Sequence, residues 1–471
     1  MNAKKLAAAL LGLILLFSLL TPCFAENEAE TEPEPFEPEI SAKAVVLMDV
    51  ETHDVIYSRG EDTPLYIGPL ASVMTVLLAA EAVERGEIGL NDTITAEAVD
   101  YYNIDNYNAS GILIGEELTL EQLIAFAMLC SPGEACNMTA RLVSGSVEEH
   151  VALMNRRAEE LGCTGTTFVN VNGADADGQF SCAGDLALIA AEFMDHELLM
   201  DICCSVTVSV PATNLSQAQE LKTDNYILRP DRSRYYYSNA IGIKAGYSDL
   251  SGYSLISSVR IKDKYAVAVL LGCRLEAAEN GYYDIQSFVQ AKKLMQWFTD
   301  NFIVYDVIDP EIPLKELPVV MGSGADTVLV RSKDRLRVFL PAGAETDGMF
   351  KYSIDIQGDS PEQPAVLSAP ISMGQKLGDL YVTGNGRSYG PYSAVANTSV
   401  ELSRFDVIKE KASILLGKPW VKLVFLGILL LFVIYAVIML RVNARRAKKR
   451  REEYQAKRAE IINMHNDDDF S

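Results

Sequence analysis

Leu70, Val73, Met74, Leu77 and Leu78, apolar, and then Glu81 recur at helical spacing just after Gly68 and Pro69 punctuate the chain. That spacing predicts a core helix entered from a loop. Upstream, Ala44–Asp49 and Val55–Ser58 are short apolar runs around the polar turn Glu51–Asp54, the pattern of a hairpin. Downstream, Leu120–Leu129 reads as a helix opened by a capping box of Thr119 and Gln122, and Asn137–Val143, Val147–Leu161 and Ala183–Met194 read as amphipathic helices. From Ser238 the pattern changes to alternating runs, so that Ser238–Lys244, Tyr253–Val259 and Tyr265–Leu271 read as three antiparallel strands joined by the turns Gly246–Gly252 and Arg260–Lys264. A long helix is expected over Tyr283–Phe302. Residues 306–400 lose the helical period and are rich in Gly, Pro, Val and Asp, which predicts a small all-β domain. The expected class is α/β, with one antiparallel sheet flanked by helices (42–305) and followed by that β domain (306–400).

The two ends follow other rules. Lys4 and Lys5 precede an apolar run from Leu6 to Leu20, then Pro22 and small residues up to Ala25, so residues 1–25 read as a secretory signal peptide. Pro22 before Cys23 argues against a lipoprotein cysteine. Residues 26–41 alternate Glu with Pro, Ala and Thr and read as an extended acidic linker. Leu423–Leu440 is uncharged over 18 residues, about 27 Å as a helix, enough to cross hydrocarbon. Residues 401–422 form the juxtamembrane segment. Arg441, Arg445, Arg446, Lys448, Lys449, Arg450 and Arg451 crowd the far end of the apolar run, which places the basic tail 441–471 in the cytoplasm and the bulk of the chain outside a single-pass membrane anchor.

A net charge of -23 over 471 residues argues against nucleic acid as a partner. Eight cysteines, seven after signal removal, match no metal spacing. They read best as small buried hydrophobes, with a Cys130–Cys136 bridge left open. Four histidines and no nucleophile-elbow glycines give a Ser-His-Asp triad little to work with. Asn172–Gly178 has the look of a calcium loop without its glutamate, and no metal or cofactor is assigned.

Four words carry a resemblance: Met74-Thr75-Val76-Leu77-Leu78, Leu129-Cys-Ser-Pro-Gly-Glu-Ala-Cys136, Gly242-Ile-Lys-Ala-Gly-Tyr-Ser248 and Ala369-Pro-Ile-Ser-Met-Gly-Gln-Lys-Leu-Gly378. Over residues 42–400 the chain resembles the serine D-alanyl-D-alanine carboxypeptidases, the low-molecular-mass penicillin-binding proteins. The resemblance implies a penicillin-recognising domain with an accessory β domain, working on peptidoglycan. Its chemistry requires an acylating serine with a lysine three residues on, a second serine paired with an asparagine, and a Lys-Thr-Gly strand that holds a terminal carboxylate. Here Pro69 stands at the serine position and Ser72 at the lysine position, and no Ser-x-x-Lys occurs in the chain. Ser131 matches the second serine while Gly133 replaces the amide; Lys244 and Gly246 are kept while Ala245 replaces threonine. The implied reading is a non-acylating family member that binds stem peptides or cell-wall enzymes through a groove contacted by Ser131, Lys244, Ala245 and Gly246. The alternatives that stay open are a working carboxypeptidase using Ser72 or Ser131, a function carried by the β domain and tail with the first domain a spacer, a Ser131 that only caps the helix through Cys136, and a Lys244 that is an ordinary edge lysine.

Overall fold

The computed structural model describes residues 38–104, 111–278, 281–356 and 366–467. The segment read as a signal peptide, and the linker up to residue 37, lie outside them. The chain divides into two compact units, one reaching Tyr305 and including Val338–Ala344, the other made of Asp306–Arg337 and the residues from Glu345 onward.

The first unit is built on a five-stranded antiparallel sheet. Its strands are β1 (Ala44–Asp49), β2 (Val55–Arg59), β3 (Ala240–Ser248), β4 (Gly252–Ile261) and β5 (Lys264–Cys273), in the order β2-β1-β5-β4-β3. Every residue of β1 is buried because both faces of the sheet are covered. Val45 and Leu47 point into one core with Leu255, Ala268 and Leu270, while Ala44, Val46 and Met48 point into another with Val267 and Val269. This is the period of two expected of a strand, carried by apolar residues on both sides. Ile40, at the end of the segment read as linker, is buried in the first of these cores.

The second core is filled by helices α1 (Ser72–Glu84), α2 (Leu120–Leu129), α3 (Gly133–Ser144), α4 (Val147–Glu160), α5 (Ala183–Met194) and α6 (Glu197–Cys203). Helix α1 is apolar nearly all round, and ten of its residues, from Ser72 to Ala82, are buried. Thr119 caps α2 by the expected box: its hydroxyl accepts from the Gln122 N–H, and the Gln122 side chain accepts from the Thr119 N–H at 2.8 Å. On the other face of the sheet lies α7 (Gln286–Asn301), with Phe288, Leu294, Met295 and Phe298 buried.

Several boundaries differ from the sequence reading. Strand β3 continues past Lys244 to Ser248 because Ala245, Gly246 and Tyr247 keep pairing with Leu255, Ser254 and Tyr253. Helix α3 begins at Gly133, since Pro132 cannot extend a helix backwards but serves as its N-cap. Helix α7 begins at Gln286 because Tyr283–Ile285 pairs with Leu275–Ala277. All seven described cysteines are free and five are buried, so the Cys130–Cys136 bridge is not formed.

In the second unit, Lys315–Val320, Thr327–Ser332, Lys351–Ile356, Leu367–Ser368, Lys376–Gly384 and Arg387–Ala396 form a six-stranded sheet. Helices α8 (Arg404–Gly417) and α9 (Pro419–Asp467) follow. Among the described residues α9 is the one helix long and apolar enough to cross a membrane, and its apolar side chains from Leu423 to Leu440 are exposed.

Candidate active site groove

The entrance to α1 is a single 3-10 turn, Gly68–Ala71, with Pro69 near its start, where a fixed φ suits a helical beginning and the missing N–H goes unneeded. Ser72 then opens α1. Its hydroxyl donates to the Pro69 carbonyl at 2.7 Å and the residue is 1% exposed. Ser72 is therefore satisfied inside the first helical turn, and it stands behind the groove wall rather than in it.

Thr75 of α1 donates to the Val171 carbonyl at 2.7 Å and holds the loop that resembles a calcium site. The side chains of that loop are engaged in holding the loop itself. Asn170 Oδ1 accepts from the Gly173 N–H at 2.8 Å and from Gln179 Nε2 at 3.0 Å. Asp175 accepts from the Ser248 hydroxyl at 2.6 Å and the Leu250 N–H at 3.0 Å, tying the loop to the β3–β4 turn. The Asp175 carboxylate is thereby occupied on both oxygens.

Ser131 occupies the turn between α2 and α3 with φ of 59°, a left-handed conformation uncommon for a residue other than glycine. It does not cap α3, whose N-cap is Pro132 with no side-chain bond. A Cβ at Gly133 would lie 2.6 Å from Ile104 Cγ2, so a side chain there requires Ile104 to shift. Gly133 does not line the groove.

Lys244 departs furthest from the sequence reading. It is 1% exposed, and its ammonium donates to the Ala127 and Met128 carbonyls at 2.5 and 3.0 Å, at the end of α2. The last carbonyls of a helix have no partner within the helix, and a cation there satisfies two of them. The lysine thus lies beneath the groove and is not part of its lining. Burial pushes its pKa down from the ordinary lysine value, opposed by Asp224 and by the thiols of Cys136, Cys203 and Cys130. Burial likewise pushes the Cys136 thiol up to about 12.

The structure brings Pro69, Ser131, Ala245 and Gly246 together on one groove of about 220 Å³ along β3, the edge strand of the sheet. Gly246 permits this closeness, since a Cβ there would sit 3.0 Å from the Pro69 ring. The remaining wall was not read from the sequence: Asp224, Tyr226, Tyr253, Ser254 and Phe288, with Tyr247 from the word that holds Lys244. Tyr247 and Tyr253 pack side by side with ring centroids 4.6 Å apart, as their cross-strand pairing requires. The pKa of Asp224 is raised by desolvation, against the pull of Lys244 and Arg229.

Chemically, the groove offers a strand edge, aromatic surface, the Asp224 carboxylate and the hydroxyls of Ser131, Ser254 and Ser287. Pro69, in the groove wall, supplies neither hydroxyl nor N–H. Among the described residues no lysine, histidine or carboxylate hydrogen-bonds the Ser131 hydroxyl, and Ser72 is bonded only to Pro69.

Comparison with known proteins agrees with this fold. A family model described as D-alanyl-D-alanine carboxypeptidase matches residues 28–274. The chain is 24% identical over 404 residues to D-alanyl-D-alanine carboxypeptidase DacF of Bacillus subtilis, covering 85% of this chain and 96% of that protein. It is 27% identical over 402 residues to DacC of Escherichia coli, covering 84% and 92%. Among solved structures, penicillin binding protein 5 of Haemophilus influenzae shares the fold with a TM-score of 0.61 at 21% identity, over 78% of this chain and 99% of that one. The peptidoglycan synthesis regulatory factor PBP3 of Streptococcus pneumoniae does so with the same TM-score and identity, over 77% and 100%. With more than half the chain, residues 28–274, under one family model, this protein belongs to the D-alanyl-D-alanine carboxypeptidase family.

Proposed function

We propose that this protein is a membrane-anchored, extracytoplasmic family member that binds peptidoglycan stem peptides without acylating. One observation carries the reading: a buried proline, Pro69, forms the groove wall where the nucleophile would stand, with Ser72 hydrogen-bonded behind it. The open edge of β3 suits an extended peptide, which can add to a sheet edge by main-chain hydrogen bonds. Tyr247 and Ser131 supply contacts along it. Lys244 supports this site indirectly, holding the end of α2 and therefore the turn that carries Ser131. Cell-wall enzymes are the other class of occupant for the same groove. Anchoring rests on α9, with the basic residues after Leu440 on the cytoplasmic side.

The rival reading, an active carboxypeptidase, has in its favour the Ser131 hydroxyl in the groove. A hydroxyl with no adjacent base is a weak nucleophile, and general-base assistance alone contributes about 10²–10⁴-fold. Titration calorimetry with an acyl-D-Ala-D-Ala peptide tests the binding. Saturable, reversible heat is expected from the full-length protein, weaker in Tyr247→Ala and Ser131→Ala. No heat at millimolar peptide, or equal affinity in all three proteins, would move the function to another surface.

A further inference from the structure

We propose that Glu81, Glu192 and His196 form a binding site for a divalent transition metal of the zinc type. The site lies nine residues down α1 from Ser72, so about 14 Å along the helix from its groove end. One ring nitrogen of His196 and one carboxylate oxygen each from Glu81 and Glu192 lie within 4.8 Å of one another. A tetrahedral zinc ion with ligands about 2.0–2.2 Å away holds its donors roughly 3.4 Å apart. Closure asks for little more than 1 Å of side-chain movement.

The second observation is the imidazole itself. The His196 side chain is 8% exposed; its Nδ1 sits 2.8 Å from Glu84 Oε1, and its Nε2 is buried with no hydrogen-bond partner. A buried polar nitrogen without a partner is costly to keep. A carboxylate on one ring nitrogen and an open second nitrogen is the arrangement that orients a metal-bound histidine. Charge points the same way. Glu81 and Glu192 share one close guanidinium, that of Arg157, which lies 2.8 Å from Glu81, 2.5 Å from Glu192 and 3.4 Å from Glu160, while Glu84 pairs with His196. Arg85 is 3.7 Å from Glu81 but pairs with Glu87 at 2.9 Å. The five carboxylates of Glu81, Glu84, Glu87, Glu160 and Glu192 against the two guanidiniums of Arg85 and Arg157 leave a net negative charge for a dication. Two carboxylates and an imidazole are oxygen and nitrogen donors suited to zinc. The sequence carries a signal for this only in hindsight, as Glu and His four apart at 192 and 196 on the way out of α5.

Arg157 competes with the ion for the same two carboxylates, which gives the test a variant that should gain. Full-length protein in detergent is titrated with Zn²⁺ alone by calorimetry, and with Co²⁺ for its absorption spectrum. One equivalent is expected, at least tenfold weaker in Glu192→Gln and in His196→Asn, and several-fold tighter in Arg157→Gln. The cobalt spectrum should show oxygen and nitrogen ligation without a thiolate charge-transfer band. The proposal fails if the wild type takes up no zinc below millimolar concentration or if both loss variants bind as the wild type does. It fails equally if a thiolate band shows the ion on Cys130 or Cys204 instead.

Discussion

Pro69 and Ser131, 62 positions apart in the chain, line one groove. At Lys244 the sequence word suggests a groove contact, and the structure buries the residue instead. A strand word tells which residue occupies the edge but not whether a long side chain turns outward or beneath, and here the unpaired carbonyls of Ala127 and Met128 draw the ammonium under the floor. Asp224, Ser254 and Phe288 were not legible because they reach the groove from segments with no word in common. His150 shows how much a single buried ring can weigh. Its Nε2 lies 3.3 Å from the Thr75 carbonyl, so that nitrogen donates and Nδ1 accepts from the Ser144 hydroxyl at 2.8 Å. Burial, opposed by the Thr75 bond, pushes its pKa down to about 4. The unfolded chain takes up this proton below about pH 6.5 while the folded protein resists it until about 4, so stability falls as pH drops through that window. Denaturant unfolding of the wild type between pH 7 and 4.5 should lose roughly 2 kcal/mol more than His150→Gln loses over the same interval. Equal losses would show that the ring is not held neutral.

Helices with strong sequence punctuation came out where expected, and those bounded by pairing partners did not. Ala183–Met194 is found as read, and the Thr119 and Gln122 capping box is present. The ends of β3 and α7 moved because Tyr247 and Tyr283 find strand partners that no local pattern announces. The cap gives a direct check of the element scale. Thr119→Ala removes one reciprocal bond at the start of α2, the helix that carries the Ser131 turn, and should destabilise the protein by about 1 kcal/mol. Thermal unfolding would read this as a drop in Tm, with peptide affinity falling in parallel. An unchanged Tm would mean the first turn of α2 is held by packing alone.

At the scale of the whole molecule, a strongly acidic chain ends in an apolar helix followed by a basic tail, and this was plain in the sequence because membrane spans need only length and composition. Protease added outside intact cells should remove the chain up to about Trp420 and leave an epitope at His465 intact; loss of that epitope would reverse the orientation. The central claim is that a family groove persists after its acylation chemistry has gone. Labelling with a fluorescent penicillin tests it most directly, because the family's reaction leaves a covalent acyl-serine that survives denaturation. Full-length protein beside an active relative such as DacC should show no covalent label, whereas a stable adduct mapped to Ser72 or Ser131 would contradict the account.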